Sequence, residues 1–158
     1  MFYYFLKLDL INLEKKILEI LEEIKKIGEK IGESCESGAD TWHDNFDYEE
    51  GMRQMHMVSS HLKQLTNIRN KSKIITPTKS NDKVSIGKTV VCLINDEEFS
   101  YTISSYMLLE ENEPAEKNNK KISYISPMAK LLINHSIDDT YEGVINGKIK
   151  KLKIISIS

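Results

Sequence analysis

Between Glu33 and Glu50 the acids are Glu33, Glu36, Asp40, Asp44, Asp47, Glu49 and Glu50, with no Lys or Arg among them. Within this stretch the run Gly38–Tyr48 places Asp40 and Asp44 around Trp42 and His43. Carboxylates are hard oxygen donors, and magnesium in phosphoryl-transfer sites commonly takes only one or two of them. The same residues also suit a solvated loop in which Asp44 or Asn45 caps the next helix. His43 beside Asp44 raises a metal-ligand or general-base role, set against a lone loop histidine that does neither. Trp42 either closes the loop as an apolar plug or stacks on a base or a protein wall. Asp47 and Glu50 tune charge at the helix start.

Two long helical patterns hold this stretch. Leu10, Leu13, Ile17, Ile20, Ile24, Ile27 and Ile31 alternate three and four apart, a heptad seam with Leu6 one step behind. Charged residues fill the outer faces, as on a solvated helix with ion pairs. Gly28 and Gly32 weaken the last turns. A helix from about Leu6 to Ser34 spans roughly 40 Å at 1.5 Å per residue. A second helix starts near Asn45 or Asp47 and stops before Pro77. Its stripe is Tyr48, Met52, Met55, Val58, Leu62, Leu65 and Ile68, read as packing rather than a cofactor site. His56 and His61 fall on or beside this helix. The spacing predicts an antiparallel coiled-coil hairpin over 1–76 with an acidic tip at 38–48.

The polar segment Thr76–Asp82 marks a boundary, with a linker over 77–83. Beyond it the pattern is that of strands. Lys88–Ile94 and Phe99–Ser104 flank a turn at Asn95–Glu98. Glu110–Lys121 reads as a charged loop, followed by a short strand over Lys121–Ile125. Ser126 and Pro127 open a helix through about Asn134, serine as its cap and proline at its first position. Tyr141–Ile145 and Lys148–Ile157 flank Asn146-Gly147, a strong hairpin signal. Residues 84–158 are thus expected to form a small antiparallel sheet with one helix, and the whole chain to be α+β.

The chain has 158 residues, a formal charge of −2 and 40% apolar residues. These values suit a globular protein and do not suit a general polyanion binder. Cys35 and Cys92 lack zinc-site spacing and read as free thiols in a reducing cytosol. Lys7 and Asp9 interrupt the apolar start too early for a signal peptide, and no run reaches transmembrane length. A cytoplasmic protein without membrane contact is the expectation.

Several of these segments resemble the bacterial Gre family of transcript-cleavage (transcription elongation) factors. The run Ile122–Leu132 resembles the family's I-S-x-x-S-P-[IL]-[AG]-x-[AG]-L. Ile133–Asp139 sits where the family has I-G-K-x-x-G-D. Asp44-Asn45-Phe46-Asp47-Tyr48 resembles E-N-A-E-Y at the start of the second hairpin helix, and the order of coiled coil, acidic tip, linker and sheet is shared. The family's tip is D-x-x-E-N-A-E-Y. If Asp44 stands for its Glu, the position three before is Thr41, and Asp40 lies one residue further back.

The resemblance implies an FKBP-like fold for 84–158 and binding to RNA polymerase, by docking at the rim of its secondary channel. It implies that the coiled coil enters the channel and that Asp40 and Asp44 assist the polymerase's metal site. They would share Mg2+ with the polymerase, no cofactor being stably bound, and the polymerase would cleave its own backtracked RNA. Nascent RNA and DNA of the elongation complex would then be neighbours of a monomeric accessory factor that is not itself an enzyme. Trp42 and His43 would make tip contacts. Ser126, Pro127, Met128 and Lys130 match the docking region, Lys130 being its only charged member. Capping and packing account for Ser126-Pro127 equally well.

A basic patch toward RNA, as family members carry, would fall to Arg53, Lys63 and Arg69, which are spread along the second helix. Lys148 and Lys150 share one strand face and Lys151 and Lys153 the other, which suits ordinary solvation. Three alternatives stay open: a channel-binding regulator that does not stimulate cleavage, an FKBP-like prolyl isomerase, and a coiled-coil adaptor.

Overall fold

The structure, a computed structural model, describes residues 2–36, 46–109 and 119–158. In chain order the elements are β1 (Tyr3–Phe5), α1 (Lys7–Glu36), α2 (Phe46–Asn70), β2 (Ser72–Ile74), β3 (Thr89–Ile94), β4 (Glu97–Ser104), β5 (Asn119–Ser123), α3 (Pro127–Leu132), β6 (Thr140–Ile145) and β7 (Lys148–Ile157). They divide into two compact units. Residues 11–71 form one, and residues 1–10 with 72–158 form the other.

In the helical unit, Leu13, Ile20 and Ile27 lie one heptad apart on α1 and are all buried. A strict seven-residue spacing keeps these side chains on one face of the helix, where a partner helix can cover them. The partner is α2, whose Leu65 is buried and whose Met52, Met55, Val58, Leu62 and Ile68 are half-buried along the same stripe. Tyr48, expected in that stripe, stays exposed. The two helices run antiparallel. Toward one end the Arg69 guanidinium donates to Glu14 Oε1 at 2.8 Å. Toward the other, Ile31 packs on Gly51. The hairpin read from the heptads is therefore observed.

Gly51 permits that close approach. A Cβ at this position would sit 2.7 Å from Ile31 Cγ1, the first methylene of a β-branched side chain whose χ1 has little freedom to swing away. Gly51→Ala is expected to destabilise the hairpin by about 1 kcal/mol, as overpacking outweighs the gain in helix propensity. With Ile31→Ala in the background, the same change should instead stabilise by up to about 1 kcal/mol. Thermal melts of the four proteins, followed by helical circular dichroism, check the reversal of sign.

The other unit is built on a five-stranded sheet of order β5-β4-β3-β7-β6. Asn95-Asp96 and Asn146-Gly147 form its two tight turns, with positive φ at all four residues. Such two-residue turns match the twist of the strands they join. The first is tighter than expected, since Glu97 already pairs with Ile94. Val90, Cys92 and Ile94 alternate inward from β3 and share one core with Ile103 of β4, Ile122 of β5, and Leu152 and Ile154 of β7. From α3, Ala129 and Leu132 close this core. Cys92 sits within it, and burial pushes its thiol up to about 11. Both cysteines are free, Cys35 exposed and Cys92 buried.

Three expectations differ from the structure. The sheet is not wholly antiparallel, because β5 pairs with β4 in parallel. The 14 residues from Ser105 to Asn118 supply the long return that a parallel pair requires. The N-terminal residues are not part of the hairpin's compact unit. β1 pairs in parallel with β2, so 1–10 and 72–75 join the sheet unit instead of a hairpin domain ending at 76. Finally, α3 stops at Leu132 rather than Asn134. Ile133 turns to an extended conformation (φ −60°, ψ 140°) and Asn134 takes φ 73°, which no α-helix continues through.

Candidate functional site

Asp40, Trp42, His43 and Asp44 lie outside the described residues. The structure does describe what flanks them. Asp47 and Glu49 stand in the first turn of α2, where negative charge suits the helix dipole. Glu50 is committed locally. Arg53 donates to both its oxygens, at 2.9 and 2.8 Å, and Gln54 donates at 2.8 Å. The Gln54 and Arg53 hydrogen bonds hold its carboxyl below the usual range. Arg53 and Arg69 are thus engaged with Glu50 and Glu14, which divides the proposed basic stripe into separate ion pairs. Among the described residues no group of three or more His, Cys, Asp or Glu could hold a metal ion.

The other candidate site, Ser126–Lys130, is fully described. Ser126 is the N-cap of α3, and its hydroxyl accepts from Ala129 N–H at 3.2 Å. Pro127 occupies the first helical position, where a missing N–H costs nothing. Met128 is half-buried against the core, whereas Pro127 and Lys130 are exposed. Ser126 and Met128 therefore shape the segment, while Pro127 and Lys130 present a surface from it. The structure brings these four residues together.

A polar cluster beyond α3 escaped the sequence. The His135 and Tyr141 rings stack nearly parallel, 7° apart with centroids at 3.7 Å. Asp139 Oδ2 accepts from Ser136 N–H at 2.7 Å and lies 3.3 Å from His135 Nδ1. The Ser136 N–H holds the Asp139 carboxyl below its usual range against the opposing effect of burial, and the His135 ring and Lys83 add to the lowering. The Tyr141 hydroxyl donates to Leu131 O at 2.7 Å, and burial pushes this phenol up to about 12. Asn134 and Asp138 both have positive φ, so residues 133–139 fold back in a way no simple periodicity announces. The available signal was asparagine and aspartate, the residues most tolerant of that conformation.

A second missed cluster holds the first turn of α1. Asp9 is buried, and its Oδ2 accepts from the hydroxyls of Ser104 and Ser105. Ser105 Oγ in turn accepts from Leu6 N–H at 2.8 Å. In the sequence Asp9 stands out only as an interruption of the apolar start.

A helical hairpin with an acidic connecting segment and a five-stranded sheet unit with a capped surface helix define a two-part α+β protein. Residues 79–158 match the family described as transcription elongation factor, GreA/GreB, C-term. The chain belongs to the GreA/GreB family of transcription elongation factors. It is 33% identical over 136 residues to a transcription elongation factor GreA of Rickettsia bellii (strain OSU 85-389), covering 85% of this chain and 81% of that protein. It is 31% identical over 142 residues to the GreA of Staphylococcus aureus (strain JH9), covering 88% and 80%. Among solved structures, the GreA factor homolog 1 (Gfh1) of Thermus thermophilus aligns with a TM-score of 0.45 and 20% identity, over 100% of this chain and 99% of that one. No helix among the described residues is long and apolar enough to cross a membrane.

Proposed function

We propose that this chain binds RNA polymerase at its secondary channel and stimulates cleavage of backtracked RNA, so that arrested complexes resume elongation. The observation that carries the polymerase-binding part is the α3 segment. It falls inside the family-matched region, and it displays Lys130 and Pro127 from a helix whose geometry is set by Ser126. The hairpin supports the second part. Its antiparallel helices both lead to the acidic segment containing Asp40 and Asp44.

Two carboxylates suit magnesium chemically, because that ion takes oxygen ligands and often only one or two protein carboxylates. Asp40 and Asp44 would share it with the polymerase, whose site supplies the remaining ligands. A bound magnesium stabilises charge on the phosphoryl oxygens in such reactions. The contribution of this chain is to hold two carboxylates in place. Trp42 and His43 would touch the channel around them. The factor acts on the polymerase's own reaction, as a monomer beside nascent RNA and DNA.

A second reading rests on one observation. Thr41 occupies the position three before Asp44, where the family tip has Asp. On that reading the factor occupies the channel and modulates the polymerase without stimulating cleavage.

The test is RNA cleavage by stalled, backtracked elongation complexes with and without the protein. Stimulation by the wild type is expected. Asp40→Ala and Asp44→Ala should each reduce it about tenfold or more, the scale on which loss of a metal-supporting group acts. Loss with Asp44→Ala alone would remove Asp40 from the mechanism. Binding to core polymerase with no stimulation would establish the second reading, and absence of binding would remove both.

A further inference from the structure

We propose that Tyr141, with His135 stacked on it, is a positioning residue for the polymerase-docking segment, acting through the carbonyl of Leu131 at the end of α3. The inference rests on the docking role proposed for Ser126–Lys130.

α3 has six residues, too few for a helix to sustain itself. Its shape must be imposed from its ends. At the N-terminus Ser126 imposes it through the Ala129 N–H. The C-terminal carbonyls need partners as well. Ala129 O receives Ile133 N–H at 2.9 Å, and Leu132 O receives His135 N–H at 3.3 Å. Leu131 O receives a side chain, the Tyr141 hydroxyl, at 2.7 Å. Tyr141 reaches across from β6, where its backbone is paired with Leu152 of β7. It thereby refers the last turn of α3 to the rigid sheet.

The tyrosine ring is itself held. Val84 exchanges backbone hydrogen bonds with Asn134 and His135, both at 2.9 Å, which fixes the backbone on which the His135 ring is mounted. Asp139 orients that ring from the side, and Ser136 N–H orients Asp139. The chain of contacts runs from Asp139 to His135, Tyr141 and Leu131, one residue from Lys130. A bond that holds the Leu131 peptide also limits the directions in which Lys130 can point. Pre-ordered contact groups lose less freedom on binding, and so bind more tightly.

The full-length protein tests this with two readouts. Tyr141→Phe keeps the ring and removes the hydroxyl. Amide hydrogen exchange at Ala129–Ile133 in the free protein should become faster. Affinity for core polymerase should fall by up to about fivefold, because α3 must then be ordered on binding, and the melting temperature of the sheet unit should drop by a few degrees for the lost hydrogen bond. His135→Ala should weaken binding similarly, and His135→Phe, which retains a flat ring for stacking, should restore it. Lys130→Glu serves as the control for docking. Unchanged exchange in Tyr141→Phe overturns the proposal. So does faster exchange with unchanged affinity where Lys130→Glu does weaken binding. If Lys130→Glu leaves binding intact, the docking role of α3 is itself refuted and the positioning role falls with it, and the exchange data will still report whether Tyr141 orders α3.

Discussion

Replacing Asp9 with alanine is expected to destabilise the unit of residues 1–10 and 72–158 by about 3 kcal/mol, from two buried hydroxyls each losing its acceptor. The carboxylate accepts from Ser104 and Ser105, both fully buried, and Lys121 Nζ lies 3.9 Å from its other oxygen. Ser105 also receives the Leu6 N–H, so its hydroxyl is the middle of a three-membered chain. Removing the terminal acceptor leaves the two buried serine hydroxyls without it. Asp9→Asn keeps an acceptor oxygen and should cost about 1 kcal/mol. Ser105→Ala should cost clearly less in the Asp9→Ala background than alone, because residues in one network are not additive. Urea unfolding followed by near-ultraviolet tyrosine dichroism checks this, since every tyrosine except Tyr48 lies in this unit. Equal losses for the alanine and asparagine variants would show that the negative charge, paired with Lys121, rather than an acceptor oxygen alone, is what Asp9 supplies.

That cluster illustrates where the sequence stops being informative. The seam at Leu13, Ile20 and Ile27 was legible because a heptad repeat is a local property, complete in one stretch of chain. The Asn146-Gly147 turn and the Ser126-Pro127 helix start were legible for the same reason, each being set by the φ preferences and hydrogen-bonding groups of adjacent residues. Asp9 meets residues 95 and 96 positions away, and nothing in its neighbourhood reveals that distance. The β1–β2 pair is equally non-local, as Phe5 meets Ile74. The parallel β4–β5 pairing is non-local too, since Ser100 meets Asn119. Of the candidate site, the docking segment was legible because its cap and proline sit side by side. Tyr141 and His135 were not, since two positive-φ residues lie between them or at their flank. Asp40 and Asp44 were named from residue type and resemblance, and they lie outside the described residues.

Gly87→Ala should be the most damaging single-methyl change in the sheet unit, costing about 3 kcal/mol by two additive routes, a left-handed backbone and an overfilled contact. Gly87 has φ +89°, a conformation that a Cβ penalises. The added carbon would also lie 2.5 Å from Pro77 Cγ and 3.0 Å from Pro77 Cβ. A proline ring cannot rotate out of the way as a long side chain would. Nor can the glycine backbone easily withdraw, because its N–H donates to Ile103 O at 2.7 Å and Ile103 N–H returns to Lys88 O at 2.9 Å. Those bonds lead directly into β3, the central strand of the sheet. Pro77→Gly separates the two routes. In its background Gly87→Ala should lose only the backbone part, about 1–2 kcal/mol. Urea denaturation of the four proteins gives the coupling between the sites, and a coupling near zero would show that Pro77 yields without cost. Pro77 was read from the sequence as punctuation in a linker. The packing makes it the wall against which the approach to β3 is set, so the segment before the sheet is held to it by shape as well as by chain connection.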